Sequence, residues 1–208
     1  MAIRVGVYDF FSYVVPGSVI VFAVLYLLAK LNALPIDPQN ISTPEFFILI
    51  GTAYLLGFVV DVVSKPWRKI FSPKDTQGKV IREFSSRYPA FTAILHETDW
   101  YVFLSFIKRY SLDIARDVEQ NNATSIMLRN SSFSVLFLGF TFLIDLIFFR
   151  STLSIILSMF CVVFSVILQK QSIKFKNWFY LGLYQSTIAL ILEKDDFFTN
   201  FDRAKIEP

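Results

Sequence analysis

The sequence predicts an all-α, polytopic membrane protein with four transmembrane helices and a small helical cytoplasmic region. Hydrophobic residues make up 54% of the 208-residue chain and charged residues only 18%, whereas soluble domains carry about 25% charged residues. Four stretches of roughly 20 residues contain at most one charge each, and a helix of that length crosses the hydrocarbon core of a bilayer. Lys and Arg cluster outside these stretches, which is typical of membrane proteins with a fixed orientation.

Charged residues mark the limits of the four stretches. The first is longer than the roughly 7 to 15 apolar residues of a signal peptide, so we expect it to remain as an anchor. A further uncharged stretch, 177–192, is short for a span and contains Gln185. It favours a cytoplasmic or interfacial helix, with a fifth span as the alternative. The predicted spans are about 10–30, 46–64, 130–149 and 151–169.

The distribution of basic residues predicts the orientation. The connection 64–129 contains 11 Lys and Arg and the tail after residue 169 contains six, whereas the connection from Leu31 to Glu45 contains none. Because Lys and Arg remain on the cytoplasmic side, both termini should be cytoplasmic. We expect one membrane domain over 1–208, with a cytoplasmic helical region formed by 65–129 and 170–208.

Helix signals in the cytoplasmic connection are uneven. Ser111 is a suitable N-cap residue, and no proline or glycine follows it until Gly139. One helix is therefore predicted to run from Ser111 through Arg129 into the third span. Prolines, Gly78 and other turn residues make 65–89 the part expected to be least regular.

The fourth span contains small, weakly polar residues at spacings of three and four, which places them on one helix face. Their 3.5-residue period suits left-handed packing against another helix. The first interpretation is a contact within the chain, and the second is a self-association seam or the wall of an aqueous path between copies. In the second span, Ala53 and Gly57, beside Gly51, also predict a close helix contact. The residues of the fourth-span stripe are Ser151, Ser154, Ser158, Cys161 and Ser165.

Two acidic residues interrupt the spans, and an ionisable group at membrane depth suggests a function unless it is paired. Asp61 precedes Lys65 by four residues, the favourable order for an ion pair on a helix. Asp145 should lie near the end of the first span, where Lys30 could pair with it and lock two helices. An ion or proton path through Asp145 is the alternative.

The residues after the second span are densely basic, which favours contact with anionic lipid and fixes topology. The connection that contains them also has seven acids against its 11 bases, a net charge of about +4 that is too small to indicate nucleic-acid binding. Binding of an anionic ligand is the alternative. The basic residues nearest the span are Lys65, Arg68 and Lys69.

Catalytic and metal-binding patterns are scarce. The chain has one histidine, His96, and one cysteine, Cys161, so one copy cannot form a two-histidine metal site or a disulfide. No glycine cluster resembles a phosphate-binding loop. The sequence therefore predicts a protein that is not an enzyme and that needs no metal or cofactor.

Two short segments carry a resemblance to known proteins. The opening Tyr8-Asp9-Phe10-Phe11-Ser12-Tyr13, followed by Pro16-Gly17, and the Arg129-Asn130 pair at the third span resemble small, uncharacterised four-span bacterial inner-membrane proteins associated with antiphage defence systems. The resemblance implies a membrane component that either permeabilises the inner membrane or recruits a cytosolic partner.

Three functional hypotheses follow. The first is a homo-oligomeric antiphage effector that perturbs the bilayer and assembles through the fourth-span stripe. The second is a membrane anchor or sensor for a cytosolic protein, which would bind a surface around Arg116, Asp117, Glu119 and Arg129. The third is a small transporter or channel that depends on Asp145.

Overall fold

The computed structural model describes residues 7–33, 41–71, 76–91 and 99–193, and within these ranges it contains helices and no strand. Its α-helices are α1 Val7–Lys30, α2 Thr43–Phe71, α3 Thr76–Arg87, α4 Trp100–Tyr110, α5 Leu112–Phe149 and α6 Leu153–Glu193. Four of them, α1, α2, α5 and α6, are long and apolar enough to cross a membrane. The predicted fold class is therefore confirmed. A short 3-10 helix, Pro89–Phe91, lies between α3 and α4.

The last two helices are much longer than a membrane span. Helix α5 has 38 residues and α6 has 41, so each is on the order of 60 Å long, twice the thickness of a hydrocarbon core. The predicted unbroken helix from Ser111 is confirmed, and the Ser111 hydroxyl accepts a hydrogen bond from the Ile114 N–H at 3.5 Å. The stretch 177–192 continues α6 and is not a separate helix.

The expectation that 65–89 would be the least regular part is wrong for most of its length. Helix α2 continues through Pro66 to Phe71, and α3 forms despite Gly78. Helix α3 buries three apolar residues, Val80, Ile81 and Phe84, on one side. This packing outweighs the weak helix propensity of the segment. The predicted turn residues at 72–75 lie outside the described residues.

The chain divides into two compact units. Unit 1 comprises 1–74 and 123–174, and unit 2 comprises 75–122 and 175–208. These limits lie near those expected for the cytoplasmic region, 65–129 and 170–208. Helices α5 and α6 each contribute residues to both units.

In unit 1, α1 and α2 approach each other closely enough for backbone contact. A Cβ atom added to Gly17 would lie 1.7 Å from the carbonyl oxygen of Ala53, and one added to Gly57 would lie 2.1 Å from the carbonyl oxygen of Tyr13. Neither position can hold a larger residue without movement of the backbone. The close contact predicted for Ala53 and Gly57 is therefore present, whereas Gly51 has open space around it.

Unit 2 has an apolar core of its own. Aromatic and aliphatic side chains from α3, the 3-10 helix, α4, the start of α5 and the end of α6 pack together there. The Tyr184 hydroxyl within this core accepts a hydrogen bond from Gln77 at 3.1 Å. Fully buried core residues such as Phe179 and Leu183 come from the 177–192 stretch, whose apolar residues thus build this core. The core comprises Val80, Ile81, Phe84, Phe91, Phe103, Ile107, Ala115, Val118, Phe179, Tyr180, Leu183, Tyr184, Ile188, Leu190 and Ile191.

Candidate functional site

A buried charged cluster joins α2 to α5 within unit 1. The Arg129 guanidinium donates a hydrogen bond to Asp61 Oδ1, and the Asn130 amide donates to the same oxygen at 3.1 Å. The Arg129 side chain is only 10% exposed. The predicted partner Lys65 is also present, but its Nζ is 3.7 Å from Asp61 Oδ2 and its side chain is 59% exposed. Arg129 is therefore the main partner of Asp61.

Arg129 was expected on a partner-binding surface, and that interpretation is wrong. The guanidinium faces Asp61 because an unpaired carboxylate at this depth would be costly. Asp61 and Arg129 are 68 positions apart in the chain, so no local sequence pattern could reveal the pair. The one sequence feature that could have suggested the pair was the position of Arg129 at the beginning of the third span.

Neutral side chains extend the cluster. The Ser64 hydroxyl, which is fully buried, donates to Asn130 Oδ1 at 2.8 Å. The Trp67 indole donates to the Ser132 hydroxyl at 3.1 Å. These hydrogen bonds connect about two turns of α2 to α5. Within the cluster, the carboxylate, the guanidinium and the amide serve as hydrogen-bond partners for one another.

A second ion pair involves three helices of unit 1. Lys30 Nζ, at the end of α1, lies 3.2 Å from Asp145 Oδ1 on α5, as the sequence predicts. The Ser154 hydroxyl of α6 donates to the other carboxylate oxygen, a contact that the sequence did not suggest. Asp145 is completely buried, whereas Lys30 is 37% exposed and its Nζ lies 5.5 Å from the centre of the Tyr26 ring. Asp145 is thus held by a cation and a hydroxyl of its own chain.

The stripe of the fourth span packs within the chain. Ser154, Ser158, Cys161 and Ser165 are at most 6% exposed, and they face α5. Ser151 precedes α6 and is partly exposed. The stripe therefore packs as the first interpretation expects, in a contact between two helices of one chain. The four stripe residues on α6 therefore expose little surface that a second copy could contact.

Reciprocal hydrogen bonds between serines hold α5 against α6. Ser132 and Ser165 each donate from their hydroxyl to the other residue's carbonyl oxygen, both at 2.8 Å. Ser125 and Ser172 repeat the arrangement seven residues away on each helix, at 2.9 and 2.7 Å. Gly139 continues the α5 side, where an added Cβ would lie 3.1 Å from the Cys161 Cβ. We call this contact the α5–α6 seam.

Unit 2 presents charged residues at its surface. Arg116 is 66% exposed and lies 3.4 Å from Asp113, and Lys108 lies 2.6 Å from Glu119, with both side chains nearly half exposed. Asp117 is exposed beside them in the chain. Three of the four predicted partner-binding residues, Arg116, Asp117 and Glu119, are thus accessible. Among the basic residues of unit 1, Lys65 and Lys69 are exposed and Arg68 is partly buried.

Chemically, the described residues provide packing and ion pairing. Within them, no group of three or more His, Cys, Asp or Glu side chains is arranged to hold a metal ion; His96 lies outside the described ranges. Comparison with protein-family models, characterised proteins and solved structures gives no match.

Proposed function

We propose that this chain is a non-enzymatic membrane anchor that recruits or regulates a cytosolic protein through unit 2. The ionisable residues inside unit 1 support an anchoring role, because Asp61 is bonded to Arg129 and Asp145 to Lys30. Charges that neutralise each other in this way hold helices together. A transport path would instead need polar groups free to bind its cargo.

The apolar core of unit 2 is the observation that carries the proposal. This unit buries large apolar side chains such as Phe179 and Leu183 and exposes charged ones such as Arg116 and Asp117. Burial of apolar groups beneath a charged surface is the arrangement favoured in water. The connection 64–129 and the tail after residue 169, within which unit 2 lies, contain 17 of the 20 Lys and Arg residues, and this distribution favours the cytoplasmic side. A charged surface held beside a membrane is suited to docking a protein of complementary charge.

The test is charge reversal on the surface of unit 2. The double variant Arg116→Glu, Asp117→Lys should still reach the membrane fraction, because both residues are exposed, and should lose a co-purifying cytosolic protein that mass spectrometry identifies with the wild type. Arg87→Glu is the control, since Arg87 is 64% exposed on α3 and its ion-pair partner among the described residues is Glu83, four residues away. A partner that both variants retain, or that both lose, would contradict binding through this surface.

The antiphage effector and the small transporter stay predictions. An effector that assembles as a homo-oligomer would need a surface other than the α5–α6 seam, so Ser158→Leu would damage the fold and would not test assembly. The discriminating measurement is the mass of the protein in nanodiscs together with dye leakage from liposomes that contain it. A discrete oligomer that leaks would favour the effector over the anchor.

A further inference from the structure

Gln169 occupies an unusual position in the α5–α6 seam. It lies on α6 four residues after Ser165 and three before Ser172, and both of these serines bond to α5. Gln169 is fully buried in the chain. Its side chain is therefore directed into the contact between the two helices.

Among the described residues, neither the Gln169 side-chain oxygen nor its nitrogen has a hydrogen-bond partner. The neighbouring Ser165 and Ser172 hydroxyls donate to carbonyl oxygens of α5. Rotating the side-chain amide by 180°, which exchanges its oxygen and nitrogen, would not give either atom a partner, because both positions lack one. Burying an amide without hydrogen bonds is energetically unfavourable, because the group loses the bonds that it makes to water.

The chemistry of the amide limits what can bind there. Its NH2 group needs an acceptor and its oxygen needs a donor. A metal cation would satisfy only the oxygen, and a carboxylate would satisfy only the nitrogen. Water both donates and accepts, and buried waters usually bond to polar groups that would otherwise lack partners.

Gln169 lies at a point along α6 that water from outside the membrane can reach. The uncharged run of the fourth span ends at Gln169, and the next residue, Lys170, is exposed. A polar site at this end of the span is close to the membrane–water boundary. Water needs to pass only the last turn of the apolar segment to reach it.

We infer that Gln169 binds internal water within the α5–α6 seam, between the Ser132–Ser165 pair and the Ser125–Ser172 pair. This water accepts from the amide NH2 and donates to the amide oxygen. The site makes hydration part of the contact between α5 and α6, and it is independent of the partner-binding role proposed for unit 2.

The test is NMR spectroscopy of the full chain in lipid nanodiscs, with 15N in the glutamine side chains. Cross-peaks between the Gln169 amide protons and water are recorded by NOE and ROE, and Gln169→Met identifies the Gln169 signals by their loss. For water that stays longer than the particle tumbles, NOE and ROE cross-peaks have opposite signs. We expect such cross-peaks at Gln169. Gln185, which is exposed on the same helix, should show only short-lived surface hydration.

Two further measurements make the result decisive. The cross-peak should persist in Ser165→Ala and in Ser172→Ala, because serine hydroxyl protons exchange with water and can relay a signal. Loss of the cross-peak in either variant would assign it to the hydroxyl and overturn the inference. Absence of a Gln169 cross-peak in the wild type would also overturn it, and Gln169→Met should then raise Tm, since that substitution would remove an unsatisfied buried amide.

Discussion

The interiors of the two units differ in the share of polar side chains that they bury. Unit 1 buries Ser132, Ser165 and Asp145 completely, while Phe148 and Phe160 are 74% and 65% exposed. Unit 2 buries aromatic and aliphatic side chains and exposes charged ones. In water, burial of apolar area drives packing. In lipid that force is absent between helices, so hydrogen bonds and small residues determine which helices meet.

Tryptophans allow the two units to be followed separately. Trp67 belongs to unit 1, and Trp100 and Trp178 belong to unit 2. Fluorescence of a Trp100→Phe, Trp178→Phe background therefore reports unit 1, and that of a Trp67→Phe background reports unit 2. Unfolding in detergent by a denaturant series gives a free energy for each unit.

The largest effect is expected from truncating the apolar core of unit 2. Leu183→Ala should lower the free energy of unfolding of unit 2 by about 4 kcal/mol, because Leu183 is fully buried among aromatic rings that cannot readily fill the cavity. Leu192→Ala is the control on the same helix, since Leu192 is 59% exposed. Similar losses in the two variants would argue against an apolar core that stabilises unit 2.

The equivalent change in unit 1 removes a charge. Arg129→Met keeps most of the side-chain volume but leaves Asp61 without its main partner, and it should cost about 3 kcal/mol. Arg116→Met should cost less than about 0.5 kcal/mol, because the Arg116–Asp113 pair is exposed. In a double-mutant cycle, adding Asp61→Asn to Arg129→Met should recover part of the loss. Purely additive losses would show that the two residues are not coupled.

Close backbone contact in unit 1 gives a smaller but sharply controlled effect. Gly57→Ala forces a Cβ atom towards the backbone of Tyr13 and should destabilise unit 1 by about 2 kcal/mol. Gly51→Ala on the same helix meets no atom within 4 Å, so its better helix propensity should leave stability unchanged or raise it by up to about 1 kcal/mol. Equal effects in thermal unfolding would rule out the tight α1–α2 contact.

Features set by local pattern were predictable from the sequence. Span length and charge placement predicted the four long helices, and the absence of proline and glycine after Ser111 predicted the continuity of α5. The Lys30–Asp145 pair could be predicted from the sequence because both residues fall at the ends of spans. The helix predictions needed only the chain segment itself, whereas the ion pair also needed the expectation that the ends of two spans lie at the same face of a bilayer.

Features set by tertiary packing were not predictable in the same way. The period of the fourth-span stripe identified a packed face but not the helix that covers it. The sequence did contain evidence that α5 is this helix, since Ser125, Ser132 and Gly139 are spaced seven residues apart and match the stripe in period. The Asp61–Arg129 pair and helix α3 depend on contacts between distant segments. Burial thus overrode the turn-like composition around Gly78.

The smallest effect tests whether the α5–α6 seam depends on its hydroxyls or only on the small size of its residues. Ser165→Ala keeps the close packing but removes the hydroxyl that donates to the Ser132 carbonyl, so it should cost unit 1 about 0.6 kcal/mol, the average for hydrogen bonds between membrane helices. Ser165→Val keeps no hydroxyl and adds volume at a fully buried position, so it should cost more. Equal stability of Ser165→Ala and wild type, with Ser165→Val still destabilised, would make close approach the main cause of the contact. The interiors of the two units would then differ less in hydrogen bonding than in how near their helices come.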